Sequence, residues 1–309
     1  MDTPTGQCCL VTGGAGFIGS HIADALVEDN EVRVLDDISS GSHANVPDEA
    51  DLVEGDVRDE DALSAAMAGV DVVFHEAAVV SVAESVEEPV RSHDVNATGG
   101  LLVLEAARQE DARVVLASSA AVYGHPERTP IHESDPVGPT SPYGLQKFTL
   151  DRYAVQYHDL YGLETVPLRY FNVYGPRSAG GPYAGVITVF AEQATRGADI
   201  TVEGDGTQTR DFVHVDDVVR ANLLAATTDA VGEAYNVARG ESISIRELAE
   251  LIREVTGSDS DIVHTDPRPG DVDESCADLT KARSSLGYEP TVPLDEGLRD
   301  FVGRGGAGE

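Results

Sequence analysis

The segment Ser141-Pro142-Tyr143-Gly144-Leu145-Gln146-Lys147 sets a phenol and an ammonium four residues apart. On a helix, positions i and i+4 share a face. An ammonium beside a phenol favours the phenolate and lowers its pKa towards neutrality, which makes Tyr143 a candidate general base. Ser141 can cap such a helix and Pro142 suits its first turn. The chain has 19 Arg and only two Lys, Lys147 and Lys281. A lysine where arginine is the habit points to a task for a compact, flexible ammonium, such as reaching a ribose hydroxyl. Upstream, Ser118-Ser119-Ala120-Ala121-Val122-Tyr123-Gly124 follows an apolar run. Ligands of parallel sheets sit at strand C-termini, where a Ser hydroxyl can hydrogen-bond a reacting oxygen.

A second constellation binds rather than reacts. Thr12-Gly13-Gly14-Ala15-Gly16-Phe17-Ile18-Gly19 follows an apolar run and opens a helical pattern. Gly13 allows a tight turn, Gly16 lets backbone approach a pyrophosphate, and Gly19 lets helix and strand pack closely. The helix N-terminus, with Phe17 and Ile18 in its first turn, offers N–H groups to the anion. Asp36 follows at the fingerprint's distance of about 20 residues. Its carboxylate can accept both ribose hydroxyls and would repel a 2′-phosphate, so the cofactor is NAD rather than NADP. Asp56, followed by Val57, ends a third strand where it can meet the adenine amino group.

Composition narrows the partners. The 309 residues carry 55 Asp plus Glu against 21 Lys plus Arg, a formal charge of -34. Such a surface repels nucleic-acid phosphates and anionic membranes. Hydrophobic residues make up 41% of the chain, which argues for a packed core over disorder. Acids dispersed along the whole chain suggest a surface adapted to high salt. Cys8, Cys9 and Cys276 show neither metal-ligand spacing nor a disulfide framework, and no metal is expected. No apolar run reaches 18 residues, and the protein is expected in the cytoplasm.

These residues need a scaffold. Apolar strand patterns at Cys8–Val11, Val32–Leu35, Asp51–Glu54, Val70–His75, Arg113–Ala117 and Leu163–Leu168 alternate with helical ones. Strands separated by helices predict an α/β fold, a Rossmann-like doubly wound parallel sheet. After about Arg177 the pattern loosens, with helices expected near 186–196 and 247–256 and a strand at 199–202. Residues 1–175 are expected to form the NAD-binding domain. Residues 176–309 are expected to form mainly a smaller C-terminal α/β substrate-binding lobe, with some segments returning to the sheet. The tail from Gly303 to Glu309 is expected to fray.

Together the motifs resemble the extended short-chain dehydrogenase/reductase family and, within it, the NAD-dependent sugar-nucleotide epimerases. The likeness runs from about Leu10 to Tyr288. It includes His75-Glu76-Ala77-Ala78, Asp94-Val95-Asn96-Ala97-Thr98-Gly99, the run Arg169 to Arg177, Thr209-Arg210-Asp211-Phe212, and Arg268-Pro269-Gly270-Asp271. The resemblance implies a catalytic triad of Ser119, Tyr143 and Lys147. It implies that Ala77, Asn96 and Ser118 join the NAD site. It implies a sugar-nucleotide site of Ser81, Asn172, Val186, Arg210, Arg268 and Asp271, with Ser119 and Tyr143 at the sugar. Guanidinium groups suit a diphosphate that must enter an acidic protein, and the excess acid is expected to stand away from that cleft.

Three reactions share this scaffold: 4-epimerisation, 4,6-dehydration and decarboxylation. The resemblance gives the latter two acidic residues just after the catalytic Ser or Thr. Here Ala120 and Ala121 stand there, and methyl groups transfer no protons. Interconversion of UDP-glucose and UDP-galactose is therefore expected. Ser275, at a gate position, leaves room for the N-acetylated pair. Glu203 stands where relatives place an aromatic against the base. A dinucleotide sensor without catalysis would be expected to lack Tyr143 or Lys147. The resemblance also implies a homodimer through the helices of Asn96 and Tyr143.

Overall fold

Strands buried on both faces of a parallel sheet must be apolar almost throughout, and Cys9, Leu10 and Val11 are wholly buried. The computed structural model describes residues 3–178, 184–267, 270 and 272–304. The first half runs β1 (Cys8–Thr12), α1 (Phe17–Leu26), β2 (Glu31–Asp36), β3 (Asp51–Glu54), α2 (Glu60–Met67), β4 (Val72–His75), α3 (Val82–Glu87) and α4 (Pro89–His93). A π-helical turn at Asp94–Gly99 continues into α5 (Gly100–Glu110), then β5 (Arg113–Ser119) and α6 (Pro142–Tyr161). Next come β6 (Thr165–Tyr170), β7 (Asn172–Tyr174), α7 (Val186–Thr195), β8 (Ile200–Glu203), β9 (Thr209–His214) and α8 (Val215–Thr227). The chain ends with β10 (Tyr235–Val237), β11 (Ser242–Ser244), α9 (Ile245–Thr256), β12 (Ile262–Thr265), α10 (Thr280–Leu286) and α11 (Leu294–Gly303).

Seven strands form one sheet in the order β10-β6-β5-β4-β1-β2-β3, and every pairing in it is parallel. This is a Rossmann-like doubly wound α/β fold. The strand order reverses between β1 and β4, which lie side by side, and a ligand crevice opens outside the strand ends at such a point. α1 and α8 cover one face through Ile22, Leu26, Val218 and Ala225. α2, α5 and α6 cover the other through Leu63, Met67, Val103, Leu104 and Leu150. A third core joins α7, α9 and α11 through Phe190, Leu248 and Phe301. Two small sheets, β11-β9-β7 and β12-β8, stand beside it.

Boundaries moved where capping decided them. The sixth strand begins at Thr165 rather than Leu163, because Gly162 closes α6 in the left-handed conformation and Leu163 is absorbed into the core beneath. Leu294, Leu298 and Phe301 anchor α11 through Gly303; residues 305–309 lie outside the described residues.

Candidate active site

Gly13 turns the chain out of β1 with φ at +71°. A Cβ there would stand 2.7 Å from the Ala77 nitrogen, so only glycine fits the turn. A Cβ at Gly19 would collide with the Gly13 carbonyl. Gly16 is the N-cap of α1 and no side chain caps that helix. The first-turn N–H groups, those of Phe17 and Ile18 among them, therefore suit an anion. Asp36 ends β2 with 8% of its surface exposed. Its Oδ2 accepts from the Ala15 amide at 2.9 Å and its Oδ1 from the Ile38 amide at 2.8 Å. The carboxylate thus ties the glycine loop to the strand, and each oxygen keeps lone-pair capacity for a ribose hydroxyl. This cradle fits a dinucleotide, with pyrophosphate at α1 and ribose at Asp36.

Other residues expected at the cofactor have structural partners. The Ala77 amide donates to Thr12 Oγ1 at 3.4 Å. Asp56 is clasped by Arg58 Nε at 2.9 Å, and that guanidinium holds its carboxyl below the usual range. Val57 is buried, and a Cβ at Gly99 would come within 2.8 Å of it. Asn96 lies in the π-helical turn. Its side chain accepts from the Val79 amide at 2.7 Å and donates to the Val79 carbonyl at 2.9 Å and to Gln146 Oε1 at 2.8 Å. Gln146 in turn donates to Ser92 at 2.9 Å.

That lock positions α6. Ser141 Oγ caps the helix by accepting from the Gly144 amide at 3.1 Å. The Tyr143 amide donates to Ser85 Oγ at 3.1 Å. At the end of β5, Ser119 Oγ accepts from the Ala121 amide at 3.1 Å, and the hydroxyl lies close enough to the Tyr143 side chain to act on its pKa. The Lys147 ammonium is buried and donates to the Ala117 carbonyl at 2.9 Å. Burial pushes Lys147 down to about 8, with the Glu76 carboxylate opposing. Spacing predicted a lowered Tyr143 pKa. In the folded chain, burial pushes the phenol up, the Ser119 hydroxyl pulls it back, and Glu76 adds to the rise. The correction has a geometric cause: the ammonium is drawn to a carbonyl of β5 instead of to the phenol oxygen.

Ser118 and Ser119 are neighbours on a strand and so point to opposite faces. Ser118 Oγ donates to Asp151 Oδ2 at 3.0 Å, and Arg169 Nε donates to the same oxygen at 2.8 Å. Arg169 also donates to the Tyr123 hydroxyl at 2.9 Å. The Ser118 hydroxyl therefore serves the fold behind the site. Sequence reasoning assigned no part to Asp151, Gln146 or Glu76. A signal was there for Asp151, since Tyr143, Lys147 and Asp151 repeat every four residues along one helix face.

On the substrate side, Ser81 caps α3 by accepting from the Glu84 amide at 3.1 Å. Asn172 Nδ2 donates to the Asp211 carbonyl at 2.9 Å. Arg210 Nη1 donates to the carbonyls of Thr209 and Val272, each at 2.7 Å. Val186 opens α7 and is half-buried, as is Ser275. Arg268 and Asp271 lie outside the described residues. A cleft of about 1040 Å³ beside β8 and β12 is lined by Glu203, Asp205, Asp273 and Glu274 together with Arg246 and His264. Of these acids Asp205, Asp273 and Glu274 stand exposed and Glu203 is half-buried.

A sequence model of the NAD-dependent epimerase/dehydratase family matches residues 9–238. The chain is 42% identical over 297 residues to a putative UDP-glucose 4-epimerase of Methanocaldococcus jannaschii, covering 95% of this chain and 96% of that one. Its fold is similar to a UDP-glucose 4-epimerase of Thermotoga maritima solved with UDP-glucose, with TM-score 0.93, 40% identity, and 96% and 98% of the two chains covered. It is similar also to a UDP-N-acetylglucosamine 4-epimerase of Methanobrevibacter ruminantium, with TM-score 0.94, 39% identity, and 97% and 98% covered. A match of that extent, on a chain that keeps the glycine cradle and the Ser119–Tyr143–Lys147 cluster, makes this chain a member of the NAD-dependent epimerase/dehydratase family.

Proposed function

We propose that the protein is an isomerase, an NAD-dependent sugar-nucleotide 4-epimerase that interconverts UDP-glucose and UDP-galactose. The observation that carries the reading is the meeting of Ser119, Tyr143 and Lys147 at the end of β5, with Ala120 and Ala121 on the turn that follows. When bound, NAD supplies the hydride acceptor and donor at sugar C4. Tyr143, as phenolate, takes the O4 proton and later returns it. Ser119 donates to O4 as charge builds there. Lys147 supplies the positive charge that favours an ionised phenol. Arg210, with Arg268, takes the diphosphate, and Asn172 supports it. Ser81, Val186 and Asp271 complete the substrate site. The cofactor lies along Gly13, Gly16, Phe17, Ile18, Gly19, Asp36, Asp56, Val57, Ala77 and Asn96.

In this reading residues 1–175 hold the cofactor and residues 176–309 mainly the substrate, with β10 completing the sheet. The half-buried Ser275 leaves room for N-acetylated sugars, which the 39% identity to a UDP-N-acetylglucosamine 4-epimerase supports. Two copies pair through α5 and α6, where Leu145, Leu160 and Tyr161 stand exposed. The protein works in a salt-rich cytoplasm. No described helix is long and apolar enough to cross a membrane.

The test is a panel of UDP-, GDP- and dTDP-sugars assayed for C4 inversion at molar salt. UDP-glucose and UDP-galactose should interconvert, and Tyr143→Phe should abolish most turnover while NAD stays bound. A 4-keto-6-deoxy product or released carbon dioxide would replace this reading with dehydration or decarboxylation.

A further inference from the structure

Glu76 follows β4, whose last residue, His75, pairs with Leu116 of β5. The next β5 residue, Ala117, receives the Lys147 ammonium. Two residues further, Ser119 pairs with Tyr170 of β6. The Tyr170 hydroxyl donates to Glu76 Oε1 at 2.8 Å, and Asn222 of α8 donates to that hydroxyl at 2.8 Å. Three strand ends thus bring one carboxylate to the helix face that carries Tyr143 and Lys147. Its negative charge acts on both, raising the Tyr143 phenol and the Lys147 ammonium. Burial pushes Glu76 itself up to about 7, while Tyr170 and Lys147 pull it down.

We propose that Glu76 is a positioning residue for charge, the third member of the Tyr143–Lys147 unit, its carboxylate setting a negative charge against both the Tyr143 hydroxyl and the Lys147 ammonium. The proposal rests on Tyr143 being the base at O4. With Glu76 ionised, the phenol keeps its proton to higher pH. With Glu76 protonated, that hold on the phenol proton is released. The groups around the carboxylate are Tyr143 and Lys147 on α6, Tyr170 on β6, Asn222 on α8 and its chain neighbour His75, which burial pushes down to about 3 and so keeps neutral. Interacting groups of this kind titrate as a set rather than singly.

Glu76→Gln removes the charge and keeps an acceptor for the Tyr170 hydroxyl. Loss of a negative charge lowers the proton affinity of each neighbour. Both limbs of the kcat–pH profile should therefore move to lower pH, by on the order of one pH unit. At a fixed pH on the rising limb above about 7, where Glu76 is ionised, that is roughly a tenfold gain in turnover. The ultraviolet titration of Tyr143, taken as the difference between E76Q and the E76Q/Y143F double variant, should move with it. Glu76→Asp keeps the charge and should keep the wild-type limbs. A profile and a tyrosinate titration that E76Q leaves in place would overturn the proposal and leave Glu76 as an anchor for Tyr170. Wild-type activity in Y143F would instead overturn the assignment of the base.

Discussion

Lys147 donates to the Ala117 carbonyl at 2.9 Å, while its ammonium stands 6.0 Å from the centre of the Tyr143 ring. The lysine is therefore anchored to the strand that carries Ser119, two residues beyond Ala117. Only 4% of its surface is exposed, which suits a compact ammonium and not a planar guanidinium. Lys147→Arg keeps the charge and should still lower kcat by about 100-fold or more. Steady-state kinetics on protein checked for NAD content decides it. Near wild-type turnover would mean that any cation at this position suffices.

Gly13→Ala should cost stability and cofactor together. Its φ of +71° is strained for alanine by about 1–3 kcal/mol, and the added methyl would press on the Ala77 amide. The expected result is a lower thermal midpoint and purified protein stripped of NAD, read from absorbance after denaturation. An NAD-replete variant would show that the turn can open without loss of the cradle.

Asp151 and Arg169 form an ion pair with 0% and 6% side-chain exposure. Removing one partner of a buried pair leaves the other uncompensated, at about 3–5 kcal/mol. Asp151→Ala should lose that much in denaturant unfolding, and its kcat should fall as well, because the end of β5 is freed from α6. A variant equally stable but inactive would place Asp151 in the chemistry instead.

The strand-turn-helix core of the fold was legible because its signals are local. Asp51–Glu54 was placed to the residue, and Gly13 and Gly19 each meet a backbone neighbour that excludes a side chain. The direction of the Tyr143 shift was not legible. Spacing says that Lys147 shares its helix face, but which acceptor the ammonium chooses depends on β5, 30 residues earlier. Glu76 was invisible for the same reason. Its role depends on Tyr170 and Asn222, brought together by three different elements, and no periodicity records such a meeting.

His75 predicts an acid-side loss of stability. Its Nδ1 meets Thr12 Oγ1 at 2.7 Å and its Nε2 is buried without a partner. Burial pushes the imidazole from 6.5 down to about 3. Between those values the unfolded chain binds the extra proton, so this contribution is intact above 6.5 and is lost as pH falls towards 3, at no more than about 1.4 kcal/mol per pH unit. The difference in unfolding free energy between wild type and His75→Gln should shrink as pH drops from about 7.5 to 5.5. A constant difference would mean that the folded protein accommodates a charged imidazole.

Salt should raise the thermal midpoint. A charge of -34 repels itself, and counterions screen that repulsion. Midpoints measured in potassium chloride from about 0.1 M to 2 M should climb by at least a few degrees. A flat or falling series would show an acidic surface with no salt adaptation.

The 20-residue helix α6 carries the phenol, the ammonium and the carboxylate that grips β5 on one uninterrupted rod. A rod moves as a screw. Any slip along its axis advances all three groups by the same step and rotates them by the same angle. The cluster can therefore be aimed wrongly as a whole, but its internal spacings cannot drift. Gln146, on the same rod, is the pin that stops the screw from turning, since it is bolted to Asn96 on the π-helical turn and to Ser92 on α4.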